Sequence, residues 1–153
     1  MARLLANPET LRKPQEEQFR LAQWVDTAPF EDLIGLRIEM AEGGKAVLSL
    51  PFTVKLAQGG GVMHGGALVT LADTAVAMAI KTILPQGTVF ATTELNTKFL
   101  APVREGRLTA TATIRGPQGR TFHGEAFVAD AEGREVAHFA SIFRVARGQG
   151  YED

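Results

Sequence analysis

From Val89 onward, apolar and polar positions alternate with a period of two, the pattern of half-buried strands. Val89, Ala91, Thr93, Leu95, Thr97 and Phe99 would form one side of a long strand that Ala101-Pro102 closes. Leu108, Ala110, Ala112 and Ile114 face one way in the next strand, with Arg107, Thr109, Thr111 and Thr113 opposite. The turn Gly116-Pro117-Gln118-Gly119 leads into a strand from Thr121 to Ala129, and Asp130-Ala131-Glu132-Gly133 leads into another from Glu135 to Val145. Earlier, Leu36, Ile38 and Met40 alternate with Arg37 and Glu39, and Glu42-Gly43-Gly44 turns the chain into a second arm from Ala46 to Phe52. Between these strand regions the period changes. From Ala67 to about Leu84, Leu68, Leu71, Ala72, Ala75, Ala79 and Ile83 share one helical face, and Pro85-Gln86-Gly87 stops it.

The first thirty residues are less regular. Pro14 followed by Gln15, Glu16 and Glu17 reads as a helix start, since proline suits the first turn and acids suit the positive end of the dipole. Phe19, Ala22 and Val25, beside Trp24, give that helix a partial stripe before Pro29. A short turn or helix is expected at Phe30 to Gly35. Residues 1–13 have no period and read as a loose arm, and the polar tail from Arg147 to Asp153 reads as frayed. The predicted organisation is an arm with a short helix over 1–29, a single domain over 30–147 and the tail over 148–153. Strands surrounding one apolar helix predict an α+β fold, in which a long central helix is wrapped by an antiparallel sheet of about six strands. The far face of that sheet, rich in Ala, Thr and Val, suggests contact with a second subunit.

Composition narrows the possible functions. A chain of 153 residues has room for one core. Its formal charge of −1 lacks the basic excess that phosphate neutralisation requires, so nucleic acid is not an expected partner. Cysteine is absent, which removes thiolate nucleophiles and Cys-ligated metal sites. The longest apolar stretch, Ala67 to Leu84, is interrupted by Thr70, Asp73, Thr74, Lys81 and Thr82, and Met1 to Pro14 has no apolar leader core. The expected setting is therefore the cytoplasm, with no membrane partner.

Asp73 lies in the middle of the most apolar helix. A buried carboxylate is costly without partners, so it either bonds to a neighbour such as Thr70 or Thr74, or it has a function. Upstream, Gln58-Gly59-Gly60-Gly61-Val62-Met63-His64-Gly65-Gly66 is a glycine-dense loop opening onto the helix. Gly65 and Gly66 would present bare N–H groups at the positive end of the dipole, suited to an anion or a developing oxyanion. A phosphate loop fits poorly, because no Lys-Ser/Thr pair follows the glycines. Gly65 and Asp73 are eight residues apart, or about 12 Å along one helix. Groups attacking one carbonyl must lie within roughly 3–3.5 Å of it. If both residues act on one substrate, Gly65 must come from one chain and Asp73 from another, across a two-fold axis.

The run His64-Gly65-Gly66-Ala67-Leu68-Val69-Thr70-Leu71-Ala72-Asp73 resembles the helix-start signature of hotdog-fold acyl-CoA thioesterases of the PaaI-like, phenylacetate-degradation type. Thr92-Thr93-Glu94-Leu95-Asn96-Thr97-Lys98-Phe99-Leu100-Ala101-Pro102 is similar to that family's strand after the helix. The resemblance covers about Phe30 to Val145. It implies a homodimer with one continuous sheet, commonly doubled into a homotetramer. It implies Asp73 as catalytic acid, either nucleophile or general base for water, and Gly65 as the oxyanion-hole N–H. It also implies that His64 helps hold the thioester end, that Gln58 orients the carbonyl or water, and that Thr92 positions water. No cofactor is implied, because coenzyme A is part of the acyl-CoA substrate. Lys98, Arg104, Arg107, Arg115 and Arg120 could meet its phosphates or could simply be solvated. His123 and His138 lack metal-ligand spacing and read as structural. The leading expectation is hydrolysis of a small aryl- or aliphatic acyl-CoA. A non-catalytic acyl-CoA-binding hotdog protein is the alternative, and a hydratase or dehydratase of the same fold is a third.

Overall fold

The computed structural model describes all 153 residues. The chain-order elements are β1 (Arg3–Leu4), β2 (Phe19–Arg20), α1 (Pro29–Ile34), β3 (Arg37–Glu42), β4 (Lys45–Pro51), α2 (Gly65–Lys81), β5 (Phe90–Phe99), β6 (Arg107–Gln118), β7 (Thr121–Ala129) and β8 (Glu135–Val145). A single 3-10 turn at Val54–Leu56 precedes the glycine-rich loop. β3 to β8 form one antiparallel sheet in the order β3-β4-β6-β7-β8-β5. α2 packs against one face of this sheet, so the expected α+β arrangement is present.

The core lies between α2 and that face. Leu71, Ala75, Val76, Ala79 and Ile80 of α2 are completely or almost completely buried against Leu48 and Leu50 of β4, Leu108 and Ala110 of β6, Phe122 and Val128 of β7, and Phe139 of β8. Small residues under the helix let it approach closely. A Cβ on Gly124 would lie 2.2 Å from Val76 Cγ1, so that position of β7 admits no side chain while α2 keeps its place.

The structure departs from the sequence pattern in several places. Residues 14–25 form no helix. The Pro14 segment is a turn, and Phe19–Arg20 is a short strand paired antiparallel with Arg3–Leu4, so residues 1–13 are not a loose arm throughout. An isolated short helix is marginal in water, and tertiary bonds capture this segment instead: Trp24 Nε1–H donates to the Lys81 carbonyl. Pro29 starts α1 rather than ending a helix.

The tail is not frayed throughout either. Tyr151 packs against the core, and the Asp153 carboxylate pairs with Arg120. α2 also ends at Lys81, which leaves Ile83 beyond it and 43% exposed rather than on the buried face.

β5 also departs from its expected alternation. Its register against β8 shifts between Thr92 and Glu94, with Thr92 opposite Phe143 and Glu94 opposite Ile142. A bulge at that point reverses the alternation. Val89, Ala91 and Thr93 therefore do not share a face with Leu95, Thr97 and Phe99. Instead Phe90 and Thr92 face α2 before the bulge, and Leu95, Thr97 and Phe99 follow on the same side after it.

Candidate active site

His64 is the residue before the helix, with φ −61° and ψ 131°. Its Nδ1 accepts from the Gly66 N–H at 2.8 Å, and its carbonyl accepts from Ala67 N–H at 2.9 Å. The imidazole thus caps the helix. With Nδ1 accepting, the neutral ring carries its proton on Nε2, which is left as a donor at the exposed mouth. Gly65 N–H finds no acceptor within the chain. It is the free first donor of a 17-residue helix, at the positive end of the dipole.

The ring of Phe99 lies over this point: a Cβ on Gly65 would stand 3.1 Å from Phe99 Cζ. Gln58 lines the same opening of about 330 Å³ as Gly65 and Phe99, with its side-chain oxygen turned to the Gly60 N–H. His64 opens on the other side of the helix start, beside Phe30, Ile34 and Lys55.

Asp73 lies two turns further along α2. Its Oδ1 accepts from the Thr92 hydroxyl at 2.8 Å. Thr70, one of the two helix neighbours expected to engage it beside Thr74, donates instead to the Gly66 carbonyl at 2.9 Å. The carboxylate is half-buried and faces a groove of about 580 Å³ that also carries Glu31 and Lys81. Burial pushes the Asp73 carboxyl above its ordinary value. The Thr92 hydroxyl opposes that shift, and the negative charge of Glu31 adds to it. A carboxyl adjusted in this way, in a cleft, is suited to accept a proton or to attack a carbonyl.

The predicted residues therefore fall into separate groups around one helix. Asp73 and Thr92 are in contact, Gly65 and Gln58 share another opening, and His64 opens onto a third. Gly65 and Asp73 remain at the two-turn separation of a continuous helix. Of the basic residues named for phosphate contact, Arg120 is engaged by Asp153 and the Val145 carbonyl, and Arg107 Nη1 donates to Ser49 Oγ at 3.2 Å. Glu31, Trp24, Lys81 and Phe99 also line these openings, beyond the residues the motifs single out. Lys81, a cation on the most apolar helix, and Trp24, the single tryptophan, were visible signals. Nothing local marks Glu31 or Phe99.

Residues 60–137 match the family model described as Thioesterase superfamily. A Halobacterium salinarum protein named "Putative esterase VNG_1336C" is 32% identical over 83% of this chain and 91% of its own length. The 1,4-dihydroxy-2-naphthoyl-CoA hydrolase of Listeria monocytogenes is 42% identical over 54% of this chain and 67% of its own. Among solved structures, the E. coli PaaI protein of the phenylacetic acid degradation operon superposes with a TM-score of 0.72. It shares 28% identity, over 80% of this chain and 87% of that one. The shared architecture is the hotdog fold, one long helix wrapped by an antiparallel sheet. No helix is long and apolar enough to cross a membrane.

Proposed function

The chain belongs to the thioesterase superfamily, and we propose that the thioester it cleaves is an acyl-CoA of a small aryl or aliphatic acid, with Asp73 as the working carboxylate. The observation that carries this reading is the Thr92–Asp73 hydrogen bond within a groove that raises the carboxyl. A merely solvated helix residue would have no such partner. Asp73 and the unsatisfied Gly65 N–H lie too far apart in one chain to meet at one carbonyl, so the site is shared by two chains. An edge supports that assembly. β5 is the terminal strand of the sheet and is ten residues long, with Leu95 43% and Phe99 55% exposed. An open edge of this length is a template for pairing with a second copy. The proposed unit is a homodimer that extends the sheet through β5, with a homotetramer as its doubling.

In the reaction, the thioester carbonyl oxygen points at the Gly65 N–H of one subunit. That donor stabilises the charge as the carbonyl carbon becomes tetrahedral. Gln58 steadies the carbonyl or the water from the loop, and the His64 Nε2–H donates to the thioester end. Asp73 of the other subunit then acts by one of two routes. As nucleophile, it bonds to the carbonyl carbon, the C–S bond breaks, CoA leaves as thiolate, and water cleaves the acyl-aspartyl anhydride. As general base, it takes a proton from water as the water oxygen attacks, with the same loss of thiolate. Thr92 holds the carboxylate in place on either route. A single turnover in isotopically labelled water tests the first route: label in the Asp73 carboxylate shows that the anhydride formed and that water opened it at the aspartyl carbon.

The test is free-thiol release from a panel of acyl-CoAs by wild type and Asp73→Asn side by side. Release by wild type and not by the mutant is expected. Wild-type rates in folded Asp73→Asn would overturn the role of Asp73. No release across the panel, with tight acyl-CoA binding, would favour a non-catalytic binding protein.

A further inference from the structure

The groove at Asp73 runs along α2 toward Lys81, the last residue of the helix. Val69 and Ala77 of α2 line one wall, with Phe30 of α1 and Phe90 of β5 around them. Phe143 of β8 backs the groove, its ring 6.1 Å from that of Phe90. Two carboxylates, Asp73 and Glu31, face the same space. Coenzyme A carries several negative phosphates, which this pair repels and the apolar walls would desolvate. An uncharged acyl group meets neither cost and gains by burial.

At the Lys81 end, two lining residues 57 positions apart are tied together. Trp24 Nε1–H donates to the Lys81 carbonyl at 3.0 Å, and the Lys81 ammonium donates back to the Trp24 carbonyl at 3.0 Å. The same ammonium lies 4.6 Å from the centre of the indole ring. Three interactions between one pair of residues hold the segment before α1 against the end of α2. Burial pushes the Lys81 ammonium below its ordinary value, with Glu31 and Asp26 opposing that shift. From Asp73 to Lys81 is again eight helical residues, or about 12 Å.

Taking the hydrolase reading above as its premise, we infer that this groove holds the acyl group and that the Trp24–Lys81 latch is the stop limiting its length. One aromatic ring or a short alkyl chain fits between the carboxylate and the stop. A long fatty chain must displace the indole or leave the groove.

The experiment measures kcat/KM by thiol release for straight-chain acyl-CoAs of increasing length and one aryl acyl-CoA. Wild type, Trp24→Ala and Lys81→Met are compared, with folding checked by circular dichroism and gel filtration. Wild-type kcat/KM is expected to fall once the chain exceeds the groove. In Trp24→Ala the ratio of long- to short-chain kcat/KM should rise about tenfold or more, the scale of a few methylenes in a pocket. Lys81→Met, which keeps the stem and removes the ammonium, should shift the ratio in the same direction by less. If Trp24→Ala fails to fold, Lys81→Met decides the matter. A wild type indifferent to length would overturn the inference, as would folded variants with an unchanged length profile. Calorimetry with non-hydrolysable thioether analogues reads the same length dependence without turnover. A length cutoff in binding, relaxed in the variants but without thiol release, would refute the hydrolase reading and keep the stop.

Discussion

At its first turn α2 offers a backbone group; two turns later it offers a side chain. Gly65 contributes an N–H that any residue but proline would carry there, and what matters is how near a carbonyl can come to it. Asp73 contributes a carboxylate whose behaviour depends on burial, Thr92 and Glu31 together. The first half of the site should therefore respond to bulk and to the capping that positions it, the second to charge and hydrogen bonding.

Asp73→Asn gives the largest expected effect, a loss of about 10²–10⁴ in turnover on the scale of removing a general base. The same change should stabilise the fold. Because burial raises the folded-state carboxyl above its unfolded value, the cost is absent at pH below the unfolded range. It is present in full once pH passes the folded value. At neutral pH, thermal unfolding of Asp73→Asn should therefore occur a few degrees above wild type. A mutant less stable than wild type would show that the carboxylate is held there by partners that outweigh its desolvation.

Gly65→Ala comes next. Alanine favours the helix that glycine weakens, but its Cβ would press on Phe99, so the change in stability depends on whether that ring gives way. Turnover should fall by about 10–10²-fold, the scale of a small displacement at a reacting carbonyl. The new Cβ meets Phe99 at 3.1 Å, so Phe99→Leu added to Gly65→Ala should recover part of the loss. Undiminished turnover in Gly65→Ala would remove the helix start from the site.

Thr92→Val sharpens the other half. It removes the one group that favours the Asp73 carboxylate, so the acid limb of the kcat/KM profile should move to higher pH, with only a few-fold loss on the plateau. Glu31→Gln removes a group that disfavours it and should move the limb to lower pH. Movement of both limbs in one direction would contradict this account of the groove's electrostatics.

The smallest effect is at His64. His64→Ala loses a helix cap, about 1 kcal/mol, or about 2–4 °C in Tm for a domain of this size. His64→Asn should restore the cap and the Tm but not the Nε2–H, so a raised KM should persist. Restoration of KM together with Tm would reduce His64 to its cap.

The strands after α2, the β3–β4 hairpin and α2 itself were legible from periodicity, because the pattern that marks each element is carried by residues close together in the chain. Residues 14–25 were not. Their partial stripe is compatible with a helix, but Trp24 gains a carbonyl, a cation and a ring contact from Lys81, and no local pattern encodes a partner 57 positions away. The bulge in β5 was equally hidden. Thr92, Thr93 and Glu94 read as ordinary strand residues, yet the register shift is what lets Thr92 reach Asp73 while Phe99 still covers Gly65.

Read along the chain alone, the protein has one apolar helix against an antiparallel sheet, glycines that open the helix and a carboxylate that interrupts it. Those features follow from side-chain period and backbone chemistry, which neighbours in sequence carry. Folding in three dimensions joins Asp73 to Thr92 rather than to Thr70 or Thr74, brings Glu31 into the same groove, and ties Trp24 to Lys81. Those pairings join distant segments, and packing chose them because it had to satisfy a buried carboxylate, an ammonium and an indole N–H at once.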